Sequence, residues 1–212
     1  MDDEITQLRA RELIERLASS APVPGGGSAS ALAGAMGAAL VQMVVSLTVG
    51  RPAAAESETE LTEIATAAAI SQSELLNLAD LDAVAYAEVV RARRLPTETE
   101  REREARAVQI AAATREATRA PMQTARIAAT VVELAERVAP IGNRNAVSDV
   151  GVAALLAAAA VRGAALNVRI NLPYLDAEEP LRDEAAGEVD RVLAGLDGRE
   201  RAVRDAVEAR LG

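Results

Sequence analysis

Asp82, Tyr86 and Arg93 are the residues of this sequence whose types and spacing best fit acid–base chemistry. Positions 82, 86, 89 and 93 share one face of a helix, so a carboxylate, a phenol and a guanidinium would line up there. A carboxylate in such a place is a candidate general acid or base. Most acids on helices are solvated, so a plain surface role for Asp82 stays open.

A second polar cluster, Gly142-Asn-Arg-Asn-Ala-Val-Ser-Asp149, stands at the predicted start of a helix. Asn145 or Ser148 can cap that helix, and the helix dipole favours Asp149 in its first turn. This structural role is sufficient to explain the cluster. Contact of Asn145 and Asp149 with a ligand is the alternative.

Two amides, Asn167 and Asn171, follow Gly163 at intervals of four residues and share one helix face. They suit hydrogen bonding to a flat heterocycle, and they equally suit a polar contact between helices. Asp149 shares a face with Asn167, but eighteen residues of helix span about 27 Å. One chain therefore cannot bring both to one small reacting centre, and an elongated ligand or a dimer would be needed.

The run Ala21-Pro-Val-Pro-Gly-Gly-Gly-Ser-Ala-Ser30 leads into an apolar stretch that has no charge until Arg51. It predicts a helix N-terminus whose backbone N–H groups few side chains shield. Such an end suits an anion or a polar ring. The candidate binding residues here are Pro24, Gly25, Gly26, Gly27 and Ser28.

The elements that must position these residues are all helical, because alanine dominates and the alternation typical of strands is missing. We predict one domain over residues 1–212, a bundle of about six helices. They cover 3–19, 27–49, 53–94, a fourth helix, 146–171 and 177–210. The fourth helix starts with a capping box of Thr97 and Glu100, and Pro121 should kink or divide it.

Composition restricts the chemistry further. The chain has 212 residues, a formal net charge of -9, and no histidine, cysteine or lysine. Disulfides, thiolate metal sites and imidazole bases are excluded, and the acidic balance argues against nucleic-acid binding. Residues 25–50 are long enough to span a bilayer, but their glycines, serines and Gln42 favour a buried helix. We therefore expect a soluble, cytoplasmic protein without a membrane partner.

Four motifs in series carry a resemblance. They are Pro22-x-Pro-Gly-Gly-Gly-Ser28, Leu81-Asp-Ala-Val-Ala-Tyr86 with Arg94-Leu-Pro96, Gly142-Asn-x-Asn145 with Ser148-Asp149, and Gly163-Ala-x-x-Asn167-Val-x-Ile-Asn171. In this order and spacing they resemble the cyclodeaminase/cyclohydrolase family of folate enzymes. The resemblance covers about residues 5–175.

The resemblance implies an all-helical homodimer that needs no metal or redox cofactor and acts on a tetrahydrofolate bearing a one-carbon unit. It implies that Asp82 accepts and donates the proton and that residues 25–28 shape the folate pocket. Tyr86, Asn145, Asp149, Asn167 and Asn171 are then candidates for binding the substrate, and Arg51 for meeting the folate glutamate. Hydrolysis of 5,10-methenyltetrahydrofolate to 10-formyltetrahydrofolate is the expected reaction.

Two alternatives stay open. One is a cyclodeaminase that releases ammonia from formiminotetrahydrofolate. The other is a non-catalytic helical module that binds folate or forms a dimer, because the basic cluster that the family often has near Arg51 is absent here.

Overall fold

The computed structural model describes residues 4–211, which are mainly helical and contain no strand. This confirms the predicted all-α class. The α-helices of the described residues are α1 (Ala10–Leu17), α2 (Gly26–Ser46), α3 (Glu58–Arg93), α4 (Glu100–Val138), α5 (Val147–Asn171), α6 (Pro180–Ala194) and α7 (Leu196–Leu211). Short 3-10 turns cover Ile5–Gln7, Pro52–Ser57, Arg144–Ala146 and Leu172–Tyr174.

The four long helices α2 to α5 form the bundle that carries the core. α2 packs against α3 and α5, and α4 packs against the same two helices from the other side. The largest fully buried side chains are aliphatic, among them Leu61, Ile64 and Leu75. Burying each such side chain contributes about 1.5–3 kcal/mol. α6 and α7 close the bundle over α4 and α5.

Small residues let α2 and α5 approach closely as antiparallel neighbours. A Cβ added at Gly37 would lie 2.9 Å from the carbonyl oxygen of Ala153, which leaves no space for any side chain. At the other end, the Cβ position of Gly26 lies 3.5 Å from Nδ2 of Asn167. The glycine-rich start of α2 therefore lies beside the C-terminal end of α5.

Several predicted helix bounds need correction. The predicted first helix is a 3-10 turn followed by α1, and its predicted start at Asp3 lies outside the described residues. The residues expected to open the third helix, from position 53, form the 3-10 turn Pro52–Ser57. The predicted last helix is two helices, because α6 ends at Ala194, directly before Gly195, and glycine destabilises a helix interior.

The start and course of α4 also differ from the prediction. The capping box is formed by Thr99 and Glu102, two residues after the predicted pair: Thr99 Oγ1 accepts from the Glu102 N–H at 3.2 Å, and Glu102 Oε2 accepts from the Thr99 N–H at 2.8 Å. Pro121 does not divide the helix, which runs without interruption through it. Because proline has no N–H, the carbonyl four residues before Pro121 receives no backbone hydrogen bond from it.

Two helical stretches, Gly26–Ser46 and Arg144–Tyr174, have the length and mean hydropathy (1.6 each) of a membrane span. In each, about half of the most apolar window is buried within the bundle: 56% and 50%. Core packing against neighbouring helices thus accounts for their composition.

Candidate functional site

Asp82 lies on α3 directly against the N-terminus of α2. The Ser28 hydroxyl donates to Asp82 Oδ2 at 2.9 Å, and the Ser28 backbone N–H donates to the same carboxylate. A Cβ on Gly27 would lie 2.5 Å from Asp82 Cγ, closer than real Cβ atoms approach. Glycine at position 27 is thus what lets the carboxylate reach the helix end.

This contact changes the interpretation of the glycine-rich run. The sequence predicted a helix N-terminus open to an external anion or ring. The anion at the first turn of α2 is instead the chain's own Asp82 carboxylate, which the dipole and the free N–H groups favour. The helix end therefore holds the candidate catalytic group, and a ligand would meet that group beside it.

The environment of Asp82 shifts its titration. Burial raises the pKa of the Asp82 carboxyl above its usual range, and the two hydrogen bonds from Ser28 offset part of that increase. Asp80, only two residues away, accepts hydrogen bonds from Thr6 at 3.1 Å and 2.7 Å, which tie the N-terminal segment to α3. The two aspartates thus occupy different environments, as predicted from their positions around the helix.

Both predicted amides of α5 lie at the same end of the bundle. Asn167 Nδ2 donates to the Gly163 carbonyl oxygen at 2.9 Å, and Asn171 Nδ2 donates to the Ala117 carbonyl oxygen on α4 at 2.7 Å. A carbonyl oxygen can only accept, so in each amide the NH₂ group faces the protein. The amide oxygens are the ends left for other partners.

These groups line one cavity of about 290 Å³. Seven predicted site residues line it: Gly25, Gly26, Gly27, Asp82, Tyr86, Asn167 and Asn171. Four further residues complete the lining: Pro22, Val23, Ala117 and Ile170. The volume is near the lower limit of typical small-molecule sites. It suits a bicyclic ring, and the remainder of a larger ligand would extend outside it.

Pro24 and Ser28 contribute indirectly. Pro24 is buried, and Ser28 is fully buried and acts through Asp82. Ala117, Ile170 and Val23 were missed because nothing in their side chains signals a site. Arg93, which the sequence places on the Asp82 face, stacks over the ring of Tyr174, with its Cζ 5.1 Å from the ring centroid.

Arg51, Asn145 and Asp149 do not join Asp82 within one chain, which corrects the prediction of a single set of binding residues. Arg51 and Asn145 line another cavity, of about 410 Å³, at the opposite end of α2. There Arg51 donates to Oδ1 of Asn143 at 3.2 Å. Asp149 lies in the first turn of α5, and α2 alone separates the two ends by about 30 Å.

A larger cavity, of about 690 Å³, lies between α3 and α4. Its walls are mainly Leu, Val and Ala, and its charged residues include two ion pairs, Glu88 with Arg91 and Glu116 with Arg119. None of the candidate site residues lines it. The Asp82 cavity therefore stands as the candidate active site on its chemistry, although it is the smaller of the two.

Fold and site together define a class: an all-helical protein with a small-molecule cavity built around a half-buried carboxylate. The formiminotransferase-cyclodeaminase family model matches residues 9–191, so the chain belongs to that family. It is 39% identical over 198 residues to the methenyltetrahydrofolate cyclohydrolase of Methylorubrum extorquens, covering 93% of this chain and 95% of the relative.

Two further relatives are more distant in sequence. The formimidoyltransferase-cyclodeaminase of Mus musculus is 28% identical over 200 residues, which cover 94% of this chain but only 37% of the mouse protein. The crystal structure of formiminotetrahydrofolate cyclodeaminase from Thermotoga maritima aligns with a TM-score of 0.86 at 28% identity, covering 99% of this chain and 100% of that one.

Proposed function

We propose that this protein is a folate one-carbon enzyme that hydrolyses 5,10-methenyltetrahydrofolate to 10-formyltetrahydrofolate. The observation that carries the proposal is the Asp82 carboxylate, half-buried beside a cavity that also presents two amide oxygens. The full-length similarity to a methenyltetrahydrofolate cyclohydrolase supports this choice of substrate. The methenyl carbon is already a cationic electrophile, so we propose that no metal or redox cofactor takes part.

The proposed reaction uses one carboxylate twice. Water attacks the methenyl carbon between N5 and N10, and Asp82 takes a proton from the attacking water. The resulting carbinolamine breaks its bond to N5, which receives the proton back from Asp82, while the hydroxyl loses its proton to solvent. One proton is released per turnover, and the positive charge of the substrate is consumed.

The electrostatics of the site fit this role. A carboxyl whose pKa is raised by burial is a better proton acceptor than an ordinary aspartate and is poised nearer to neutral pH. The Ser28 hydrogen bonds keep the carboxylate oriented while the charge on the substrate changes. The cationic substrate itself favours the ionised form of Asp82 before the water attacks.

The experiment is a spectroscopic assay. Purified protein is mixed with methenyltetrahydrofolate, and the loss of the substrate's ultraviolet absorbance is compared with buffer and with the Asp82→Asn variant. Acceleration by the wild type and its loss in D82N are expected. Equal rates in all three would reject the catalytic role and leave a non-catalytic folate-binding or dimerising module.

A formiminotetrahydrofolate cyclodeaminase is the second candidate. It is favoured by the alignment of nearly the whole chain with a crystal structure of such an enzyme. There a folate nitrogen attacks the formimino carbon, and the departing ammonia needs a proton that Asp82 would supply. Release of ammonia from formiminotetrahydrofolate, with no hydrolysis of methenyltetrahydrofolate, would select this reaction.

We propose that the protein works as a cytoplasmic homodimer. The antiparallel neighbours α2 and α5 both expose large apolar side chains: Met36, Met43 and Leu47 on α2, and Val152, Leu155, Leu166 and Ile170 on α5. Exposed apolar surface of this extent is typical of an interface. A twofold axis within this interface, perpendicular to the two helices, would place the C-terminal end of the partner's α2 over the N-terminal end of this one. Arg51 of the partner subunit would then lie beside Asp82.

A further inference from the structure

Pro121 is a feature of α4 that the proposed chemistry does not use. A proline inside a helix has no N–H to donate to the carbonyl four residues before it, and its ring pushes that carbonyl off the helix axis. In α4 that carbonyl belongs to Ala117. Ala117 is buried, with 5% of its surface exposed, so its oxygen needs another donor.

The donor is the side chain of Asn171, from the last turn of α5. Its Nδ2 lies 2.7 Å from the Ala117 oxygen, and both residues line the Asp82 cavity. The bond joins two helices at the edge of the site. It also sets which way the amide faces, because only the NH₂ end can pair with a carbonyl.

Asn167 is oriented in the same sense by the Gly163 carbonyl. The cavity wall therefore offers two amide oxygens beside the Asp82 carboxylate, and all three groups accept hydrogen bonds. Three acceptors beside the Tyr86 hydroxyl, which can donate or accept, favour a ligand edge made of N–H and NH₂ donors over one made of carbonyl oxygens.

We infer that Pro121 is a positioning residue for substrate recognition: by freeing the Ala117 carbonyl it holds Asn171 with its oxygen towards the ligand. The recognised edge would be the amino and ring N–H donors of a reduced pterin. This deepens the proposed function and rests on it. The helix tolerates this proline because Asn171 of a neighbouring helix donates to the carbonyl oxygen that the proline leaves without a backbone donor.

Pro121→Ala tests the inference because it returns an N–H to the Ala117 carbonyl. We expect the variant to unfold at the same or a higher temperature, since alanine suits a helix interior, yet to bind the product 10-formyltetrahydrofolate more weakly. Loss of one oriented hydrogen bond corresponds to a rise of about three- to tenfold in Kd. The loss should appear in KM more than in kcat, because Asp82 is untouched.

Double variants separate positioning from a general structural effect. In an Asn171→Ala background, Pro121→Ala should have no further effect on Kd, whereas in the matched Asn167→Ala background its full effect should persist. An equal effect of Pro121→Ala in both backgrounds, or an unchanged Kd in the single variant, would overturn the inference.

A measurement on the ligand-free protein distinguishes this inference from the proposed function. Hydrogen exchange of the Asn171 side-chain NH₂, followed by NMR, should be slow in the wild type and faster in Pro121→Ala. Equal exchange overturns the positioning role whatever the substrate. If exchange is slow in the wild type but the protein binds no folate, the proposed function is rejected. The pterin would then also be rejected as the ligand that hydrogen-bonds to Asn171.

Discussion

The Cγ atom of Asp82 lies 2.5 Å from the position that a Cβ on Gly27 would occupy. The carboxylate thus takes the space of a missing side chain, at a helix end whose dipole and N–H groups favour negative charge. Gly27 thus gives the Asp82 carboxylate both the space it occupies and a helix end that stabilises its charge. For this reason Gly27 matters more than the other glycines of the run. Gly25, by contrast, has no atom within 4 Å of its Cβ position.

Gly27→Ala should therefore damage the site far more than Gly25→Ala. The added methyl must displace the Asp82 carboxylate or the start of α2, at a cost of about 1–3 kcal/mol in unfolding free energy. Displacing a reacting group by an ångström can lower the rate about a hundredfold. Denaturant unfolding and the absorbance assay measure the two effects, and Gly25→Ala should show the smaller change in both. Equal losses in the two variants would contradict the steric argument.

Asp82→Asn should lower kcat by about 10² to 10⁴, the usual worth of a general base. It should not destabilise the protein at neutral pH. Burial raises the folded-state pKa of Asp82 above its unfolded value, so the folded protein binds the extra proton. Wild-type stability therefore falls as pH rises from the unfolded pKa through the folded one, and the asparagine variant lacks this contribution.

Asp80→Asn is the matched control for that comparison. Asp80 lies on the same helix but faces the N-terminal segment, where it accepts from Thr6. The substitution should weaken this tie and leave the catalytic rate near that of the wild type. Denaturant titrations from about pH 4 to 7 give the stability of each variant, and an Asp82→Asn protein that is less stable than wild type at pH 7 would count against the burial argument.

Glu188 on α6 should give the stability of the folded protein a different pH dependence. Its ion pairs with Arg191 and with Arg126 of α4 lower the pKa of the Glu188 carboxyl to about 2. Its stabilisation is present above the unfolded pKa and is lost as pH falls from there towards 2. Glu188→Gln should cost about 0.5–1 kcal/mol at pH 7 and flatten the acid limb of the stability curve. Glu184→Gln, an exposed acid on the same helix, should leave that limb unchanged.

Local sequence patterns predicted much of this molecule. The four-residue spacing of Asn167 and Asn171 correctly placed them on one face, and both line the Asp82 cavity. The capping box was misplaced because Thr97-x-x-Glu100 and Thr99-x-x-Glu102 fit the same rule. Which of the two threonines caps the helix depends on how the chain after Arg93 packs, and this packing cannot be derived from a single sequence.

Long-range relationships were beyond prediction for a physical reason. Arg51 follows α2 in sequence, but a helix of 21 residues carries its two ends about 30 Å apart. Asn171, which donates to the carbonyl oxygen of Ala117, lies on another helix and 54 positions further along the chain. No local sequence pattern connects these two residues. Pro121 was expected to kink or divide α4, and the helix is not divided. Helix propensity describes only the local chain, so it does not include the Asn171 amide that pairs with the freed carbonyl.

Mixing two variants, each expected to be inactive by itself, tests the proposed shared site. If Arg51 of the partner subunit serves the Asp82 cavity, an Asp82→Asn chain and an Arg51→Ala chain each supply what the other lacks. Random reassociation of equal amounts makes half of the dimers mixed, and each mixed dimer has one intact site. About a quarter of wild-type activity should return after unfolding and joint refolding.

In the control for this mixing experiment, both chains carry Asp82→Asn, so no pairing of chains can restore a complete site. Asp82→Asn mixed with Asp82→Asn/Arg51→Ala forms dimers in which every site lacks the carboxylate, so no activity should return. Met36→Glu in both chains should also abolish recovery, since a charge on the exposed apolar stripe of α2 opposes association. Light scattering reads the oligomeric state directly. Dimers that fail to complement would place Arg51 outside the site, and a monomer with full activity would remove the need for a second chain.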